Sequence, residues 1–136
     1  MKFSKIILVA ASVLAIMSCQ KSGPKDFVLG KDQCDNCRMT ITEQKFATQL
    51  ITAKGRAYKF DDISCMTMYE SSNPDKATNA KTYVVDFPSG QFLEKSRATF
   101  IKGGSIKSPM GGNTQAYKDK ATAQKAAATL GASLTK

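Results

Sequence analysis

The 136-residue chain contains no histidine and no tryptophan. Without an imidazole there can be no Ser-His-Asp or Cys-His catalytic arrangement, and the commonest protein ligand for metals is missing. No apolar stretch reaches the ~20 residues of a membrane-spanning helix. The longest runs over residues 6–17 and is interrupted only by Ser12. The chain is basic, with a formal charge of +9, two units of which come from Lys2 and Lys5. Its lysines are scattered, however, with no basic run and no platform of interleaved aromatics, so the charge does not point to nucleic acid. It fits solubility and attraction to anionic lipid or an acidic partner.

What is present begins with an export signal. Lys2 and Lys5 precede the apolar run, which has the length of a signal-peptide core. The run ends in Ile16-Met17-Ser18-Cys19, which resembles a bacterial lipobox. Residues 1–18 are then a signal peptide, and Cys19 becomes the lipidated N-terminus of a protein in the bacterial cell envelope, facing the periplasm. Gln20 after it lacks the Asp that holds many lipoproteins in the inner membrane, which favours the outer one. Ordinary cleavage nearby, with Cys19 a spare thiol, is the alternative. Residues 19–31 are polar with Gly and Pro and read as a flexible tether.

Residues 32–136 are enough for one compact domain. Strands are expected over residues 45–53 and 56–60, joined through Lys54-Gly55 as a tight turn. Asp61-Asp62 caps a helix over about residues 62–71, with Phe60 and Cys65 as a hydrophobic staple. In that helix Cys65, Met68 and Tyr69 share a face, and Met66, off it, is open as an extra exposed sulfur. Residues 82–87 form a strand and Pro88-Ser89-Gly90 a turn. One or two further strands fall within residues 92–101, and another over 114–118. Asp119 caps an Ala-rich helix that ends near Leu130-Gly131. Ala57-Tyr58-Lys59 before a capped helix is echoed 59 residues later by Ala116-Tyr117-Lys118. The expected fold is α+β, two related small β-β-α(-β) units packed into one domain.

Sulfur dominates the chemistry. Cys34-Asp35-Asn36-Cys37-Arg38-Met39 can offer two thiolates to one ion from a single turn, with a thioether two residues on. Thiolate and thioether are soft donors that select copper(I), whereas zinc generally wants thiolates with imidazole or carboxylate. Met110 lies in Ser108-Pro109-Met110-Gly111-Gly112, a loop able to turn tightly and approach another segment closely; it could equally plug an apolar gap. Cys65 reads first as a core residue of its helix, since free cysteine is among the most buried residue types. With Cys19 set aside for lipid, three cysteines remain, an odd number for a purely structural disulfide framework.

In family order, residues 34–41, Phe60-Asp61-Asp62-Ile63-Ser64-Cys65-Met66 and Ser108-Pro109-Met110-Gly111-Gly112 leading to Tyr117 resemble the NosL family, copper-binding lipoproteins that accompany nitrous oxide reductase. The resemblance implies copper(I) as cargo, ligands at Cys34, Cys37, Met39 and Met110, and Cys65 and Met66 as further candidates. It also implies nitrous oxide reductase as recipient and a copper donor or its transport machinery upstream. Arg38 stands where the family usually has glycine, and Phe92-Leu93-Glu94 where many relatives carry a tryptophan. The expected function is therefore a metallochaperone, not an enzyme, with no small-molecule substrate. A thiol-disulfide oxidoreductase using Cys34 and Cys37 is the alternative, although no thioredoxin-like βαβ pattern surrounds them. A structural zinc site, or a plain disulfide that fastens the tether end to the domain, is a third reading.

Overall fold

A computed structural model describes residues 23–135; the predicted leader and Cys19 lie outside the described residues. The chain reverses at Gly55, whose φ of 87° suits a residue without a Cβ. Around this turn β1 (Thr48–Ile51) pairs antiparallel with β2 (Ala57–Phe60), Thr48 opposite Phe60. The strand expected over residues 45–53 is shorter than its pattern, because a 3-10 turn at Gln44–Phe46 takes its start and buries Phe46. Asp62 then caps α1 (Ile63–Ser72), its side chain accepting from the Ser64 amide. Pro74 opens a separate one-turn helix, α2 (Pro74–Ala77). The chain returns as β3 (Lys81–Val85) beside β1, and β4 (Phe92–Glu94) adds to β3. This sheet has the order β2-β1-β3-β4, so β1 is interior and buried along its whole length.

The second unit repeats the plan. β5 (Thr99–Lys102) pairs with β6 (Thr114–Tyr117), α3 (Lys120–Leu130) follows, and β7 (Ser133–Thr135) returns on the other side of β5. Its order is β6-β5-β7, the counterpart of β2-β1-β3. Asp119 caps α3 and Gly131 ends it at φ 64°. Tyr58 and Tyr117 are both buried in the second strand of their unit, as the sequence echo implies. The fold is α+β. β7 carries no signal of its own: three exposed residues pair with β5 because the helix before them returns the chain there. The units join where the Phe87 amide donates to the Ala116 carbonyl at 2.8 Å.

α1 corrects one sequence expectation. Its buried side chains are Cys65, Met66 and Tyr69, while Met68 is 48% exposed. At 3.6 residues per turn, 65, 66 and 69 span one arc and 68 falls outside it, so Met66 is not the exposed sulfur. The segment before Asp32 is also fixed to the domain from Lys25 on. Gln49, fully buried in β1, accepts from the Lys25 amide at 2.9 Å and donates to its carbonyl. A buried amide needs such partners, and this segment supplies them. Phe27 packs on Phe92, ring centres 5.6 Å apart.

Candidate metal centre

Residues 32–41 form a small antiparallel loop. The Ile41 amide donates to the Asp32 carbonyl at 2.8 Å, Gln33 bridges to Thr40, and the Cys34 amide donates to the Met39 carbonyl at 2.8 Å. The tip closes as the Arg38 amide donates to the Cys34 carbonyl and the Cys37 amide reaches Cys34 Sγ at 3.5 Å. Asp35 fastens this tip to the outer edge of β2. Its amide donates to the Lys59 carbonyl and its carboxylate accepts from the Lys59 amide, both at 2.8 Å. β2 runs straight on into Asp61, and the first turns of α1 carry Cys65 back to the same point.

The result is a cluster of Cys34, Cys37, Cys65 and Asp61, whose donor atoms all lie within 4.8 Å of one another. The three cysteines are free thiols. Cys37 donates to both Asp61 oxygens at 3.6 Å. Cys34, Cys65 and Asp61 are buried and Cys37 is partly exposed, so Cys37 is the way in. Burial pushes the Cys34 thiol up. It pushes Cys65 up as well, helped by the nearby Cys34 and by hydrogen bonding to Asp61. Both buried sulfurs therefore hold protons at neutral pH, and a cation that takes them must displace those protons.

A second loop reaches from the other unit to Asp62, next in sequence to the cluster's Asp61. The β5–β6 connection, short in the first unit, is extended here over residues 103–113, and it lands on Asp62. That fully buried carboxylate accepts from the Ser64 amide and hydroxyl through Oδ1, both at 2.9 Å. Through Oδ2 it accepts from Ser108 Oγ at 2.6 Å, the Met110 amide at 3.0 Å and the Gly112 amide at 3.4 Å. Burial works against the charge, but these donors outweigh it and hold the carboxyl below its ordinary value. A Cβ on Gly112 would lie 2.5 Å from Asp62 Oδ1 and 2.8 Å from Ser64 Oγ. Gly112→Ala is accordingly expected to destabilise the domain by about 1–3 kcal/mol in urea unfolding; a loss below about 0.5 kcal/mol would mean that the loop yields freely.

Of the residues proposed from sequence, Cys34 and Cys37 stand in the cluster. Met39 shares their loop and is 59% exposed. Met110 is held by its backbone on Asp62, next in sequence to Asp61, with its side chain 43% exposed, so it does not fill an apolar gap. Cys65, read as a core residue, is in the core and in the cluster at once. In the sequence Asp61 reads only as part of a helix cap. Asp62 alone makes the cap, which leaves a second buried carboxylate to be accounted for. The repeat carried the signal: the second unit goes from Lys118 directly to its capping Asp119, whereas the first inserts Phe60-Asp61 between Lys59 and Asp62. Arg38 adopts φ 67°, the left-handed region that suits the glycine usual in the family, at a cost of about 1 kcal/mol. Its guanidinium is exposed and 4.0 Å from Asp35.

The family model for NosL matches residues 27–136. The crystal structure of the copper chaperone NosL from Shewanella denitrificans superposes with a TM-score of 0.69 at 17% identity, covering 83% of this chain and 92% of that one. At that identity the likeness speaks for the fold. No curated protein matches the sequence.

Proposed function

The chain belongs to the NosL family, and from that premise we propose that it is a copper(I) chaperone rather than an enzyme. One observation carries the reading: three cysteine sulfurs and a carboxylate converge within 4.8 Å, behind a partly exposed thiol, with exposed methionines on the cysteine loop (Met39) and on the loop held by Asp62 (Met110). Thiolates and thioethers favour copper(I). Copper(I) enters at Cys37, where the thiol proton is already directed at Asp61, and is taken by Cys37 and Cys34. Cys65 and Asp61 line the inner wall. Met39 and Met110 are the outer sulfurs, which need lose no proton and can hold the ion while it is passed on. A recipient's sulfur can then displace the protein ligands one at a time.

We place the protein in the bacterial envelope, lipidated at Cys19 and facing the periplasm, with the outer membrane favoured. Its recipient is nitrous oxide reductase, with a copper donor or its transport machinery upstream. Family membership, the lipobox-like Ile16-Met17-Ser18-Cys19 and the residue after it support these assignments. Thiol-disulfide exchange is disfavoured, since neither Cys34 nor Cys65 is activated and the Cys-x-x-Cys turn does not open a helix. Three thiolates and a carboxylate would also suit zinc, so the test must discriminate. Copper(I)-loaded protein mixed anaerobically with copper-free nitrous oxide reductase should lose its copper to the enzyme, and equimolar zinc should not block loading. Copper that stays on the chain, or is expelled by zinc, would overturn the chaperone reading.

A further inference from the structure

The turn over residues 28–31 holds two aliphatic side chains out in water. Val28 is 50% and Leu29 44% exposed, yet the turn is firmly built. The Lys31 and Asp32 amides both donate to the Val28 carbonyl, the Val28 amide donates to Asp32 Oδ2 at 2.8 Å, and the Gly30 amide donates to the Ile41 carbonyl at 2.9 Å. The pair cannot fold away as it could on a loose tail. The same ladder carries the copper loop: exposed Met39 is two residues, about 7 Å of extended chain, from Ile41.

Charge and chain length point to one occupant. Lys25 and Lys31 flank this turn in sequence and are exposed, with Asp26 an exposed carboxylate between them. Asp32 is matched by Lys59 at 2.6 Å, and Asp35 faces Arg38. Among the described residues, Lys25 is the first hydrogen-bonded to the domain, through Gln49. Cys19 precedes it by six residues, a reach of at most about 20 Å. On the reading that Cys19 is acylated, on which this inference rests, this turn lies only three residues beyond Lys25, an apolar tip with a cationic rim. We infer that Val28-Leu29 seats in the headgroup region of an anionic bilayer, its neighbouring cations against lipid phosphates. That contact holds the Met39 edge of the copper loop close to the membrane plane, facing a partner at headgroup height.

The test uses the mature acylated protein in vesicles of phosphatidylglycerol and phosphatidylethanolamine, compared with phosphatidylcholine vesicles, read by amide hydrogen exchange. Residues 28–31 and 38–40 should exchange several-fold more slowly on the anionic vesicles. The double variant Val28→Ser, Leu29→Ser should abolish that difference while exchange in the rest of the domain is unchanged. Equal exchange on both lipids overturns the inference. So does a lipid-independent turn whose double variant nevertheless slows copper transfer, which would assign the surface to a protein partner. Intact mass reads acylation separately: a chain without acyl groups removes the anchor and this surface together, whereas an acylated but unprotected chain removes the surface alone.

Discussion

Cys37→Ser is expected to lower copper(I) affinity by roughly 100-fold or more, beyond the 10- to 100-fold typical for partners outside the ligand set. Cys37 joins the exposed and buried parts of the site: it is partly open to solvent, it touches Cys34 through its amide, and its thiol is held on Asp61. The measurement is an anaerobic competition with a chromophoric copper(I) chelator, with Met110→Ala alongside. The pH profile separates thiol from thioether. The Cys34 and Cys65 thiols are both raised above their ordinary value of 9.0, so each is protonated in the metal-free protein at neutral pH. Copper competes with those protons, and affinity must rise with pH, about tenfold per pH unit for each proton released. A thioether carries no proton. Met110→Ala should therefore weaken binding while leaving the slope of log affinity against pH unchanged, whereas Cys34→Ser should flatten it. If affinity does not vary between pH 6 and 8, the buried thiols are not ligands, and copper sits on outer sulfur alone.

Much of this arrangement was legible in the sequence, because it rests on local signals. The Lys54-Gly55 turn, the Asp-capped starts of both long helices and the glycine closing α3 each depend on a few adjacent residues, and the structure has all of them. The repeated Ala-Tyr-Lys was enough to suggest two related units. What could not be read was whatever depends on rotation or on distant partners. Met66 and Met68 differ by only two positions, and which one is buried is decided by how α1 rolls on its sheet. The separation between Asp61 and Asp62 is subtler still. One carboxylate faces the thiols, and the other faces a loop some fifty residues away in sequence. Gln49 shows the same limit, since only the fold reveals that a buried amide ties down the segment before the domain.

Asp62 should be the most sensitive non-ligand position in the molecule. Asp62→Ala removes the acceptor for five donors at once and leaves the part-buried amides of Met110 and Gly112 without that partner. With each orphaned donor costing about 1–3 kcal/mol and the terms far from additive, a loss of roughly 3 kcal/mol or more is expected, a large share of a small domain's stability. Asp62→Asn keeps the shape but has one acceptor oxygen instead of two. It can serve either Ser64 or the Ser108–Gly112 side, and its NH2 must then face donors. Acid gives an independent reading of the same interaction. The Asp62 carboxyl is held below its ordinary 3.8 despite burial, so the stability it supplies is present above that pH and is lost as pH falls through the lowered value. Asp32, bonded to Lys59, and Asp86, bonded to Ser89 and the Lys118 amide, act in the same direction. The quantity to compare is therefore the difference between wild type and Asp62→Asn, which should be large at pH 6 and shrink towards pH 3. Asp62 donates nothing to the metal cluster, so its replacement should weaken copper only by releasing Met110. In a Met110→Ala background the same replacement should have little further effect on affinity. If the two losses add in full, Asp62 acts on the thiols directly, and the Met110 loop is not the link between the two units at the metal.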